Sequence, residues 1–472
     1  MTARTQLVAI ALLAGLSGPL SAQTRSDTVS LTLDAAIQRA LERGEEMRVA
    51  RAQYQEASGQ VREAFAGALP QINGSLTYTL QFASIFQNAA NAGGGGDTSL
   101  TNLFKNSPFG APNSWNAQFT ASQLLWSSGK VGAGLKAARA ARVGAQAQAD
   151  QTAADIAYEV KRAYLQAQYA GRLLEVSEAG LEEARGELRQ VELYQKAGTR
   201  AEYDLLRAQV DAANQEPVVV QAKNRVDLAV LEFKRLVNIP AEQPVGLATP
   251  LDSPDGTIPA VAERDLGAPE RPALAAAEAM VKVREQLLKV AQADRWPTLS
   301  VATTFSEQAF PQEVSPLNST FRRNWNAEVK LSLPIFTGFR TEGSVARARA
   351  QLEQARAQRD QAQQQVDLDV AQAKAELERT RSLLVARKGT VRQADRAQHL
   401  ASVRYANGLA TQLEVSDARL LTQRAKVNEA QGTLDYLLAL AQLERALGRP
   451  LPVERRPLQQ AMDPSTEQGT QR

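Results

Sequence analysis

The strongest constraint on this chain is that it repeats itself. Asn116-Ala117-Gln118 returns as Asn326-Ala327-Glu328, Leu125-Trp126-Ser127-Ser128 as Ile335-Phe336-Thr337-Gly338, and Ala138-Arg139-Ala140 as Ala348-Arg349-Ala350, each 210 residues on. Gly198, Asp204, Ala208 and Pro240 meet Gly408, Glu414, Ala418 and Pro450 at the same offset. Nearer the N-terminus the offset is 227, pairing Ala50, Ala64 and Pro70 with Ala277, Ala291 and Pro297, so the first copy carries 17 extra residues between Pro70 and Asn116. Gly93 to Gly96 with Asp97 mark that insertion as a loop. A phosphate-binding loop would need Gly-Lys-Ser/Thr opening a helix, and none follows. A long period of this kind decides the architecture before any local reading does.

Each copy shows one order of elements. A helix (Leu33 to Ala68, then Pro272 to Arg295) ends at a proline and gives way to runs of period two at about 71–82 and 114–124, then 298–307 and 324–334. Ile72, Leu76, Tyr78, Leu80 and Phe82 alternate with Asn73, Ser75, Thr77, Thr79 and Gln81; Trp325, Ala327, Val329, Leu331 and Leu333 alternate with Asn326, Glu328, Lys330 and Ser332. Such runs match the 9–11 residues of a tilted membrane strand, and they also fit a soluble hairpin with one buried face. From 129 to 196, and again from 340 to 405, proline is absent and glycine sparse. A helix of that length reaches roughly 100 Å. Its seam has heptad spacing, with Ala153, Val160, Ala167, Leu174, Leu181 and Leu188 beside Ile156, Ala163, Ala170, Ser177, Ala184 and Val191, and in the second copy Val366, Val370, Ala373, Leu377, Leu384, Val391 and Ala394. That pattern specifies coiled-coil packing, with alanines that let helices approach closely. Turns at Ala197-Gly198-Thr199-Arg200 and Asn407-Gly408-Leu409-Ala410 reverse the chain into helices over 202–238 and 412–448. The organisation expected is a first repeat over 23–240, a linker over 241–271, a second repeat over 272–450 and a polar, disordered tail over 451–472.

Arg4 followed by the apolar Leu7 to Leu16 reads as a secretory signal over 1–22, too short to span a bilayer. Beyond it no window approaches the ~20 apolar residues of a transmembrane helix. The composition excludes further classes. With no Cys and one His, zinc ribbons, iron–sulfur clusters, thiol nucleophiles and disulfides cannot be built, and no cofactor is expected. His399 lies within a long helix away from any recognisable nucleophile, so the chain is expected not to be an enzyme. A net charge of +3 is too small for a dedicated nucleic-acid binder.

Four amphipathic strands cannot close a barrel, and an open edge cannot sit in hydrocarbon. Insertion therefore requires oligomerisation, and three copies would supply twelve strands. At this point the duplicated ALPQI/RWPTL segments before the strands, LLWSSGK and LPIFTGFR after them, and the paired Gly-x-x-[AT]-x-x-[DE]-[LV] turns at 198 and 408 carry a resemblance over the whole mature chain. The chain resembles TolC-like outer-membrane efflux proteins. The resemblance implies an α/β membrane channel: a trimeric 12-stranded transmembrane β-barrel, four strands per chain, continued by a long antiparallel coiled-coil α-helical periplasmic barrel. It places the homotrimer in outer-membrane lipid of a Gram-negative bacterium. It also implies docking to a periplasmic adaptor protein and a proton- or ATP-driven inner-membrane transporter, giving a passive exit duct for drugs, other small molecules or proteins. The 241–271 linker would join the family's equatorial belt. A periplasmic coiled-coil scaffold without channel activity explains the helices and the export, but not the four strands.

In the family, acidic residues near the second turn ring the periplasmic entrance. The matching positions are Glu414 and Asp417, with Asp204 at the corresponding place in the first repeat. Solvated acids at a helix start, complementing its dipole, are the alternative reading. The exposed turns at Gly198, Thr199 and Arg200 and at Gly408, Leu409 and Ala410 are the expected adaptor contacts. The best-known members carry a latch arginine where Ala410 stands; here the first repeat has Arg200 instead.

Overall fold

A computed structural model describes residues 29–83, 111–251, 258–260, 271–311, 313–317, 319–449 and 454–456. The expected signal segment and the glycine-rich insertion at 93–97 lie outside the described residues.

The described residues begin with β1 (Val29–Leu31), and Thr32 then caps α1 (Leu33–Arg43) by accepting from the Ala35 amide. The sequence predicts one helix from Leu33 to Ala68; the structure breaks it at Gly44, which turns extended before α2 (Glu45–Ala66). Only glycine fits the break. Gly44 NH bonds Ala40 O at 2.8 Å, and a β-carbon at Gly44 would stand 2.4 Å from that same oxygen. The strands follow: β2 (Gln71–Leu80) and β3 (Asn113–Trp126). Next comes the long α3 (Lys130–Lys196), then α4 (Glu202–Leu236). Two short strands, β4 (Val245–Leu247) and β5 (Ile258–Ala260), lie in the linker. The second half runs α5 (Pro272–Ala293), β6 (Thr298–Ala309), β7 (Arg322–Ser332), α6 (Arg340–Ala406) and α7 (Gln412–Leu447). Within the segment expected as a disordered tail, the described residues form one strand, β8 (Glu454–Arg456), paired antiparallel with β5.

Helices α3 and α6 are each 67 residues long. Each ends in a turn held by left-handed glycine, Gly198 at φ 75° and Gly408 at φ 74°. There the amides of Thr199 and Leu409 reach back to Tyr194 O and Arg404 O, closing the helix C-termini. Ile156, Ala163, Ala170, Ser177, Ala184 and Val191 are all buried, so the heptad seam is the packed face. Toward the turns the helices lie side by side in the order α4, α3, α7, α6; toward the sheet the order is α2, α3, α5, α6. The sheet continues this arrangement with order β2-β3-β6-β7, every pair antiparallel. One flank is therefore α4, α2 and β2 along its whole length, and the other is α6 and β7.

Midway along the helices, α1, β1 and β4 pack on α3 around Tyr164, Phe233, Val160, Val237 and Ile239. The β1–β4 pairing is parallel and joins residues more than two hundred positions apart. At the same level Lys161 pairs with Glu444, and Arg445 pairs with Asp155 at 2.7 Å, tying α3 to α7.

Candidate functional site

The four-stranded sheet separates its side chains by chemistry. Its register sets Ile72, Leu76 and Leu80 of β2 on one face with Ala117, Phe119 and Ala121 of β3, Val301 and Phe305 of β6, and Trp325, Val329 and Leu331 of β7. The opposite face carries Asn73, Ser75, Thr77 and Thr79, then Asn116, Gln118, Thr120 and Ser122, then Ser300, Thr304 and Gln308, then Asn324, Asn326, Glu328 and Lys330. The apolar face is bare: Ile72, Leu76, Trp325 and Val329 are all exposed. Polar groups on it are paired locally, as where Trp325 Nε1 donates to Thr303 Oγ1 at 2.9 Å. Both outer strands, β2 and β7, are exposed along their length, leaving two open hydrogen-bonding edges. Among the described residues no helix is long and apolar enough to cross a membrane.

At the far end of the helices the two turns pack on each other. Val191, Ala208, Tyr405, Ala410 and Val415 form a small core. Ala410 is buried there, which accounts for a small residue at a position where an arginine would be expected. Arg200 takes up the polar contact from the other turn. Its Nη2 donates to Tyr405 O at 3.2 Å, and its guanidinium carbon lies 4.4 Å from the centre of the Tyr405 ring. Of the other expected tip contacts, Gly198, Thr199 and Gly408 are exposed and Leu409 is 70% exposed.

The three acids are placed differently from one another. Glu414 completes a capping box: it accepts from the Thr411 amide at 3.2 Å while Thr411 Oγ1 accepts from the Glu414 amide at 3.3 Å, and Arg404 lies 3.6 Å away. Asp417, one turn on, is exposed and has no hydrogen-bond or ion-pair partner among the described residues. Asp204 is half-buried in the first turn of α4.

Above this core a polar seam joins the hairpins, and sequence reasoning did not find it. Gln412, Ser416, Arg419 and Thr422 of α7 are all buried. Ser416 Oγ donates to Asp211 Oδ2 at 2.8 Å, Gln423 donates to Gln215 at 3.3 Å, and Arg419 faces Glu187 at 3.6 Å. Burial pushes the Glu187 carboxyl above its ordinary range, against the pull of Arg419. The available signal was spacing: polar residues at 412, 416, 419 and 423 occupy the positions that heptad geometry assigns to a packed face.

This geometry has relatives. The model of the outer membrane efflux protein family matches residues 36–238 and 268–449, most of the chain. The chain belongs to that family. Outer membrane protein OprJ of Pseudomonas aeruginosa is 27% identical over 178 residues, 38% of this chain and 37% of OprJ, so the match spans little more than a third of that relative. Among solved structures, VceC of Vibrio cholerae aligns with a TM-score of 0.72 and 21% identity, covering 89% of this chain and 97% of that one. CusC, described in terms of transmembrane channel formation, aligns at 0.72 and 19%, covering 88% and 92%. The open state of MtrE from Neisseria gonorrhoeae aligns at 0.70 and 21%, covering 88% and 89%. This efflux-family protein accordingly resides in the Gram-negative outer membrane, with a large periplasmic portion.

Proposed function

We propose that three copies of the chain form a channel through the outer membrane, a twelve-stranded barrel continued by a helical tunnel. The channel serves as the passive exit duct of a tripartite efflux or type I secretion system. One observation carries the reading: a chain with an open β edge on each flank, bounded by α2 and α4 on one side and α6 on the other, can satisfy its edges only against further copies. Such a contact is head-to-tail and closes into a ring. With the apolar sheet face toward lipid, the amide- and hydroxyl-rich face lines water, as a membrane barrel requires. Extraction from outer membranes only by detergent, as a crosslinkable trimer that conducts in a planar bilayer, is the expected result. Release as a monomer by salt would favour a periplasmic scaffold.

In this reading the turns meet the periplasmic adaptor, which connects the duct to an inner-membrane transporter. The chain has no cysteine, so single cysteines at Thr199 and Leu409 report cleanly. They are expected to crosslink to an adaptor hairpin, and crosslinks formed only at other positions would refute this docking. The trimer also gathers Glu414 and Asp417 around the tunnel mouth and favours cations there. Because Glu414 is already engaged by its own cap and by Arg404, Asp417→Asn should lower the cation-to-anion permeability ratio more than Glu414→Gln, and an unchanged ratio in the double variant would remove the gate. Arg200→Ala, which frees Tyr405 from the neighbouring turn, is expected to raise single-channel conductance.

A further inference from the structure

Between α3 and α7 the two hairpins do not meet completely. A cavity of about 270 Å³ lies there, with Arg172 and Gly180 of α3 on one side and Arg419, Thr422 and Lys426 of α7 on the other. Arg419 is 1% exposed. Its Nε stands 3.6 Å from Glu187, longer than a hydrogen bond, and neither Nε nor Nη1 has an acceptor among the described residues. Thr422 Oγ1, buried beside it, has no partner among them either.

The carboxylates that line the cavity are already occupied. Glu175 accepts from Arg172 at 2.7 Å, and Glu183 accepts from Gln398 at 3.0 Å. Lys426, at the mouth, stands 3.4 Å from Asp395. What the cavity leaves free is therefore donor capacity, supplied by a desolvated guanidinium and a hydroxyl. A buried cation with unused N–H groups is costly, and Glu187, 3.6 Å away, is an incomplete counter-ion. Water filling the space would hydrogen-bond these groups without supplying charge, whereas an anion would form charge-assisted bonds and neutralise the arginine.

We infer that this cavity binds a small halide-like anion, held by Arg419 and the Thr422 hydroxyl. The site lies wholly within one chain, so it does not depend on assembly, and it sits on the joint between the two hairpins. An occupied site stabilises the packed arrangement of α3 on α7 in proportion to anion concentration.

Bromide is the probe. Crystals of the detergent-solubilised protein grown in sodium bromide and measured at the bromine absorption edge are expected to show an anomalous peak in this cavity, within hydrogen-bond reach of Arg419 and Thr422. In Thr422→Val, which keeps the shape and removes the hydroxyl, the peak should fall by at least half. Water alone in the cavity of the unaltered protein would overturn the assignment. A peak of equal height in Thr422→Val would mean an adventitious ion only and would overturn it as well.

Discussion

Val329→Arg is expected to empty the outer membrane of this protein, while Asn326→Arg, three residues away on the same strand, leaves its level near normal. Val329 lies in the middle of β7, in register with Val301 of β6, on the face that carries Ile72, Leu76, Phe119 and Phe305. Asn326 is in register with Thr304 on the opposite face. A lipid-facing arginine near the bilayer midplane costs about 2–4 kcal/mol in a β-barrel, and the proposed trimer would carry the cost three times. An arginine on the water-lined face stays hydrated and costs little. Immunoblots of outer-membrane fractions, loaded without boiling so that the proposed trimer survives, measure both variants. Equal levels of the two would mean that the sheet does not present its apolar face to lipid.

Alternation made the strands legible because the sheet carries apolar side chains on one face and amides and hydroxyls on the other, and no third environment blurs the period. The sequence predicts the end of β3 at 124, but it continues to Trp126. The pairing with β6 slips between Leu124 and Trp126, a bulge that resets which side chain faces which side and so hides the end of the period. The long helices were legible for a related reason: a heptad seam sustained over several heptads, in stretches without proline, leaves little room for another conformation. Gly44 shows where such reasoning stops. One glycine in a helical pattern is usually tolerated; this one sits at a break where any β-carbon would run into the carbonyl of Ala40, a contact that exists only in the folded turn.

The helix tips were harder to read than the fold. Residue type and position mark Glu414 and Asp417 as equivalent, yet one is held by a capping box and the other is not. Ala410 reads in the sequence as a missing arginine. The structure shows a filled space against Tyr405, with Arg200 from the other turn covering the same ring. The polar seam under Arg419 carries the same lesson: a charged residue on a packed face has no meaning until its partner, here Glu187 on a helix of the other repeat, is brought opposite it.

The cluster midway along the long helices shows what local sequence conceals most, and it gives the largest expected effect on stability. Tyr164 is fully buried in α3, edge-on to Phe233 at 5.5 Å. Its hydroxyl accepts from the Thr249 amide at 2.8 Å and donates to Leu31 O at 3.1 Å, fastening the linker and the first strand to the middle of the long helix. Tyr164→Ala removes an aromatic ring from a closed core and should cost about 3–5 kcal/mol. Tyr164→Phe separates the two contributions. Leu31 O keeps its bond from the Ala248 amide, so the group left without its partner is the Thr249 N–H, an expected cost of about 1–3 kcal/mol. Urea unfolding followed by the helical circular dichroism signal ranks the three proteins. The order should be unaltered, Phe, Ala, with the midpoint lowest for Ala. A Phe variant as stable as the unaltered chain would show that the hydroxyl does not hold the linker in place, and the linker would then rest on the packing of Tyr164 against Phe233 and Val160 alone.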